Sequence, residues 1–340
     1  MQKSFPHING LYLLLRSSGI AILKTVNKKR LLLFDEAVLD SWKSLNVTEQ
    51  YFTLLEAWLL QGNEEIIVEH DRGFPDHLTR CRLFFERFKK KKTYISNQNK
   101  EEFQYTPGWY NIALLQMFGF ISIEASSKAT VRYWLIERIK CTDLGKTLLP
   151  FLYKTAFGGE EEGFIWEVLN GEKKIQFGEW QSSLVPFFPD WKKNLLMVGN
   201  DFQEGIYIFK VTVGNTWRRI SIPGDQVLDS LSDAILDAFN FDHNHLFQFK
   251  YKNRKGLTVI INVPEMEDPP FTTEVLIGEL ALEPGQILDY LYDFGDCWEF
   301  EVVLEKIDKE HTESTEATIL ESYGESPKQY VYYDELDEDW

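Results

Sequence analysis

The sequence predicts an α+β protein: a mostly helical N-terminal half, then a C-terminal domain of antiparallel or mixed sheet with one packed helix. Three observations carry that expectation. A pattern of two leucines, three residues and a glycine, followed by two strand-like runs and a helix, occurs twice: at Leu14, Leu15 and Gly19, and again at Leu114, Leu115 and Gly119. From about residue 206 the apolar period shortens from the helical 3.6 to the strand value of two. With 340 residues, 44% hydrophobic and 15% aromatic, the chain can fill more than one core.

In the first copy of the repeat the strands are expected at residues 20–24 and 31–34, joined by Asn27-Lys28-Lys29-Arg30. In the second they are expected at 120–124 and 131–139, joined by 125–130. Each glycine ends its helix, because it enters the left-handed region without a Cβ clash. Thr142 is the expected cap of the closing helix, with Asp143 beside its positive end. Between the copies, Asn46 and Glu49 form a capping-box-like start to a helix that carries Tyr51, Leu54, Leu55, Trp58 and Leu59 at helical spacing. Residues 74–88 supply a further apolar segment. Helix, hairpin, helix in this order resembles the distal part of winged-helix domains: residues 46–155 a whole unit, residues 1–45 a truncated one. Its candidate recognition helix, "YNIALLQMF" (110–118), has no Lys or Arg, which argues against reading of bases.

Residues 156–200 read as a connector, with an acidic break "GGEEEG" (158–163), a stretch "FIWEVLNGEKKIQF" that could pair locally, and a proline-punctuated "PFFPDW" (186–191). The C-terminal domain, 201–307, then has strands expected at 206–213, 217–222, 246–251 and 257–263. Asp225 is the expected cap of a helix carrying Val227, Leu228, Leu231, Ala234, Ile235, Ala238 and Phe239.

"YLYDFGDCWEFEV" (290–302) poses a choice between a turn and a catalytic carboxylate pair. Alternation puts Leu288, Tyr290, Tyr292, Phe294, Trp298, Phe300, Val302 and Leu304 on one face, and the acidic residues on the other. The stretch therefore reads as a hairpin with one buried face, its turn bent at Gly295 and bonded by Asp293 and Asp296. A kinase D-F-G needs a phosphate-covering glycine loop, a strand lysine and a catalytic loop, and the sequence has none of them.

Several separated motifs occur in order: Trp217-Arg218-Arg219-Ile220; His245-Leu246 with Phe249; Tyr292 to Trp298; and "YGESPKQY" (323–330). Together they resemble the plasmid pRiA4b ORF-three-like family over about residues 200–330. The resemblance implies an α+β fold and a bacterial, mobile-DNA setting more firmly than a reaction. One position departs: the family's last histidine, two residues after the tryptophan, is Phe300 here.

Charge is unevenly spread. Residues 70–155 hold 15 basic and 8 acidic side chains, and residues 201–340 hold 10 and 30. The basic middle offers Arg80, Arg82, Arg87 and the run Lys89, Lys90, Lys91 and Lys92 as candidate phosphate contacts without sequence preference. Residues 308–340, with 11 acidic and 2 basic side chains, read as an acidic tail that would compete for that run. A pocket for a small ligand or nucleotide would draw on Trp217, Arg218, Arg219, His245, Asp293, Asp296 and Trp298, with His243 and His245 sharing a face. Cys81, Cys141 and Cys297 lie far apart with no C-x-x-C, so no metal site, no cofactor and no disulfide is expected. No nucleotide-loop, nucleophile-elbow or zinc-protease motif is present. The expectation is a cytoplasmic, non-enzymatic interaction or regulatory protein with a protein partner and no membrane segment. An enzyme or ligand sensor and a nucleic-acid binder are the alternatives.

Overall fold

The computed structural model describes residues 5–26, 29–62, 64–67, 76–88, 94–95, 103, 106–125, 134, 136–158, 163–169, 173–197, 202–310 and 315–330. The chain forms two compact units, residues 1–198 and 199–340.

In the first unit, α1 (Pro6–Ser17) leads into the antiparallel hairpin β1 (Ala21–Val26) and β2 (Lys29–Phe34), then α2 (Glu36–Lys43). Next come α3 (Val47–Leu59), α4 (Glu64–Ile67), α5 (Asp76–Phe88) and the short β3 (Tyr94–Ile95). The second copy follows as α6 (Trp109–Met117), β4 (Ile121–Ala125), β5 (Ile136–Cys141) and α7 (Asp143–Phe157). The two copies match bond for bond. Gly19 and Gly119 both have φ of 77°. The Asp35 amide donates to the Ile20 carbonyl as the Thr142 amide donates to that of Phe120, both at 3.0 Å. Asp35 then caps α2 through the Val38 amide, and Thr142 caps α7 through that of Gly145. The leading helices pack together, with Gly10 of α1 against Leu114 of α6. The candidate recognition helix, whose composition argued against reading of bases, is a core element, with Tyr110 to Leu115 buried.

Residues 173–197, expected to be a connector, are instead built into this unit. They follow α8 (Phe164–Leu169), a helix where local strand pairing was expected, and contain α9 (Gln181–Leu184). Trp180 and Trp191 are buried, and Trp191 stacks on Phe52 at 4.2 Å. Two carboxylates a heptad apart on α3 hold the segment. Glu49 closes the predicted capping box with Asn46 and also accepts from the amides of Lys192 (3.0 Å) and Lys193 (2.7 Å). Glu56 accepts from Gly178 (2.5 Å) and Trp180 (3.0 Å). Aperiodic sequence concealed this packing, because the anchoring acceptors lie more than a hundred positions away.

The second unit is a seven-stranded antiparallel sheet, order β12-β7-β6-β11-β10-β8-β9. Its strands are β6 (Ile206–Val213), β7 (Thr216–Pro223), β8 (Phe247–Lys252), β9 (Thr258–Asn262), β10 (Ile287–Tyr292), β11 (Trp298–Asp308) and β12 (Thr318–Tyr323). Helix α10 (Leu228–Phe239) covers one face through Leu228, Leu231, Ile235, Leu236 and Phe239, packed with Phe209, Phe249, Tyr290 and Phe300. Asp225 does not cap α10. The N-cap is Val227, and the amides of Leu228 and Asp229 are taken by the carbonyls of Val275 (2.9 Å) and Thr272 (3.1 Å). A distant loop replaces the side-chain cap.

The hairpin β10–β11 has the expected register, Tyr292 opposite Trp298 and Tyr290 opposite Phe300. Its turn differs in two details. The left-handed residues are Asp293 (φ 58°) and Cys297 (φ 52°), not Gly295, because the Asp293 carboxylate fixes the bend by accepting from the amides of Gly295 (2.9 Å) and Asp296 (3.4 Å). Phe294, inside that bend, is exposed rather than on the core face. Part of the expected acidic tail is strand: β12 pairs with β7 along Ser221 to Trp217.

Candidate functional site

Adjacent residues of a strand point to opposite faces, and this alternation divides the candidate pocket. Trp217 and Arg219 lie on the outer face of β7. Arg219 pairs with Glu305 (2.6 Å) and Glu321, and Trp217 stacks against Tyr323 beneath Lys210. Arg218 lies on the buried side, over the ring of Phe239. Trp298 packs edge-on against Phe241. Asp296 is exposed in the turn. Trp217 and Arg219 therefore do not share a face with Arg218. His243 and His245 also separate: His243 bonds Asp233 and Asp237 of α10, both at 3.0 Å, while His245 turns to Tyr330 (2.8 Å).

The structure does bring His245 and Asp293 together, with residues that sequence reasoning weighed little or missed. Asn240 closes α10 in the left-handed conformation, and the chain then runs through Asp242 to β8. The Asp242 carboxylate accepts from Tyr292 (2.9 Å), Gln329 (2.9 Å) and Tyr330 (2.5 Å), and its amide donates to Gln329 Oε1 (2.7 Å). His245 Nδ1 lies 3.3 Å from the second oxygen of Asp293. The Tyr330 hydroxyl, more than burial can offset, holds the Asp242 carboxyl well below the usual carboxylate range, and Gln329 and Tyr292 add to the effect. Burial first, and then the bonded Asp242 carboxylate, raise the Tyr292 phenol.

Arg218 belongs to the same device. Its guanidinium donates to the carbonyls of Ala238 (2.9 Å), Tyr323 (3.0 Å) and Gly324 (3.3 Å) and to Ser326 Oγ (2.9 Å). Thr216 donates to the Glu325 carbonyl at 3.0 Å. Strand β12 and the segment that follows it to residue 330 are therefore held by edge pairing along β7 and by side chains beyond it. The sequence signal was the "YGESPKQY" stretch, whose partners were not visible from spacing.

In the basic middle, Arg82 pairs with Glu86 (3.1 Å) and lies 3.8 Å over the Tyr153 ring. Arg80 and Arg87 are half-buried on α5. Lys89, Lys90, Lys91 and Lys92 lie outside the described residues, as do Asn27, Lys28, residues 126–130 of the second expected turn, and the acidic break at 159–162. Among the described residues no cluster of three or more His, Cys, Asp or Glu is arranged to hold a metal, and no helix is long and apolar enough to cross a membrane. Phe300, at the family's histidine position, fills the core between Phe239 (5.4 Å), Phe241 (5.7 Å) and Tyr290 (5.5 Å).

Residues 206–331 match the family model described as "Plasmid pRiA4b ORF-3-like protein". No curated protein matches the chain. Among solved structures, the chain is similar to a crystal structure of a protein of unknown function from Methanosarcina mazei Go1, at 23% identity, covering 36% of this chain and 72% of that one with a TM-score of 0.32. The sheet, its packed helix and the clasped segment coincide with the matched residues, so the similarity to the plasmid pRiA4b ORF-3-like family lies in the C-terminal part of this chain.

Proposed function

We propose that this protein is a bacterial interaction or regulatory factor linked to mobile DNA, acting by binding rather than by catalysis. One observation carries the reading. The polar residues most suited to chemistry in the C-terminal unit, Arg218, Asp242 and His245, direct hydrogen bonds at one stretch of polypeptide, residues 323–330. A general base needs a lone pair within reach of a substrate proton. The Asp242 oxygens instead accept from Tyr292, Gln329 and Tyr330. Edge-strand addition with side-chain anchors is a mode by which domains hold peptides. The plasmid setting in the family's description supports the link to mobile DNA.

A second reading, sequence-independent nucleic-acid binding, is favoured by the charge of residues 70–155 and by the helix–hairpin–helix repeat, which supports a winged-helix-like reading of the N-terminal half. The test is native mass spectrometry and elemental analysis of the purified full-length protein, with duplex DNA titrated at low and physiological salt. The binding-protein reading expects polypeptide mass alone and DNA affinity that vanishes at physiological salt. A stoichiometric metal or nucleotide would replace it with the enzyme or sensor reading. Retention of DNA at physiological salt would replace it with the nucleic-acid reading.

A further inference from the structure

The two copies of the N-terminal repeat differ at one edge. In the second copy the outer edge of β5 is covered by β3, with Tyr94 opposite Ile139 and Ile95 opposite Arg138. The matched bonds from Asp35 to Ile20 and from Thr142 to Phe120 align the copies, so Ile139 corresponds to Leu32. Ile139 is 0% exposed, whereas Leu32 is 46% exposed. Its neighbours Leu31, Leu33 and Phe34 are 41%, 40% and 55% exposed. Among the described residues β2 has one strand neighbour, β1. Four consecutive exposed apolar residues on an uncovered edge are a template for a further strand.

The backbone fixes which groups are free. The Asp35 amide points inward to Ile20, so by alternation Leu33 and Leu31 also bond inward, while Arg30, Leu32 and Phe34 direct their N–H and C=O groups outward. An antiparallel partner must pair outward residues with outward residues. A second copy of β2, related by a two-fold axis at Leu32, satisfies this: Arg30 faces Phe34, Leu31 faces Leu33, and Leu32 faces itself. The charge pattern agrees with that register. The strand begins at Lys29-Arg30 and is followed, past the buried cap Asp35, by the exposed Glu36, so the basic end of each copy approaches an acidic residue of the other. Arg30 against Phe34 is also a cation–π pairing. The added strand runs antiparallel, as β3 does against β5.

We propose that two copies of this chain associate through their β2 edges, joining the β1–β2 hairpins into one four-stranded antiparallel sheet centred on Leu32. The contact is small beside a standard interface of about 1,600 Å², so the dimer is reversible, with a dissociation constant on the order of micromolar. Sedimentation velocity on the full-length chain, over a range around that concentration, should show the mass rising from 39.9 kDa towards twice that value. Leu32→Pro deletes an outward N–H in each copy and leaves the inward ladder to β1 intact, so it should weaken association by about tenfold or more. Cysteine substitutions in a Cys297→Ser background give a reading that does not depend on that variant folding. Leu32→Cys should cross-link to itself, since directly opposed Cα atoms lie about 5.5 Å apart. Leu31→Cys and Leu33→Cys should cross-link poorly alone and readily when mixed. A wild-type monomer throughout, a dimer indifferent to a folded Leu32→Pro variant, or equal self-cross-linking at 31, 32 and 33 would overturn the proposal.

Discussion

Asp242 shows how one residue can organise a segment far away in sequence. Its carboxylate has three side-chain donors, two of them from residues 329 and 330. Hydrogen bonds to a charged acceptor contribute about 1.5–3 kcal/mol each. Asp242→Asn removes the charge and should loosen the clasp by about 1–3 kcal/mol. Hydrogen exchange in residues 318–330 should then quicken by about 10- to 100-fold, with the sheet core unchanged. Unchanged exchange there would show that edge pairing with β7 holds the segment by itself. The pH dependence has a definite sign. A carboxyl held below its unfolded value contributes stability that is present above about pH 4 and lost as pH falls towards the folded value. Acid should therefore release the clasp in the wild type, and the Asn variant should show less of this response.

At the scale of elements, close approach decides where side chains are tolerated. The first turn of α7 packs on the end of β4 so tightly that a Cβ at Gly145 would lie 2.2 Å from the Phe120 carbonyl oxygen. That carbonyl also receives the Thr142 amide and hydroxyl, so it cannot retreat without breaking the cap. Gly145→Ala should cost about 1–3 kcal/mol or more by overpacking, read as a lowered unfolding midpoint in urea. The matching position in the first copy is Val38, fully buried beneath the same type of cap. The two helix–hairpin units thus share hydrogen bonding but not side-chain volume. A tolerated Gly145→Ala would mean that α7 can slide along β4.

At the scale of the whole molecule, the N-terminal unit carries two buried titrating groups with opposite demands. Burial drives His77 down to about 4, and Gly62 leaves it room, since a Cβ there would lie 2.4 Å from the ring. A lowered histidine costs stability as pH falls from about 6.5 to 4, by about 3 kcal/mol at full extent. Burial pushes Glu56 up to about 8, against the amide donors of Gly178 and Trp180 that hold it down. A raised carboxyl takes up a proton on folding, so stability falls as pH rises from about 4.5 to 8. Between about 4.5 and 6.5 the two slopes oppose, and above 6.5 the Glu56 slope stands alone. Hydrogen exchange in peptides from residues 1–198 should therefore show declining protection from pH 6.5 to 8, after correction for intrinsic rates. Glu56→Gln should flatten that decline while lowering stability by about 1–3 kcal/mol at pH 6, because one buried amide loses its acceptor. An equal slope in the variant would assign the pH response to another group.

The sequence by itself determined what local physics controls: the helix–hairpin–helix repeat with its two glycines, the Asn46–Glu49 capping box, the Thr142 cap, the period-two strands and the β10–β11 register. Each depends on groups within a few residues of one another or on a repeated pattern. It also carried the likeness of residues 206–331 to a known family through motifs spaced along the chain. Only the tertiary structure decided what depends on distant partners. Val227 needs no side-chain cap because the 272–276 loop supplies carbonyls, and residues 173–197 are core because Glu49 and Glu56 hold their amides. Arg218 and Arg219 look equivalent as neighbours, yet strand alternation sends one to clasp residues 323–326 and the other to an outer-face ion-pair ladder. The Asp242 cluster was legible only in part: Asp242, His245 and Asp293 stand out as polar candidates in the sequence, but chain spacing says nothing about their hydrogen bonds to Tyr292, Gln329 and Tyr330.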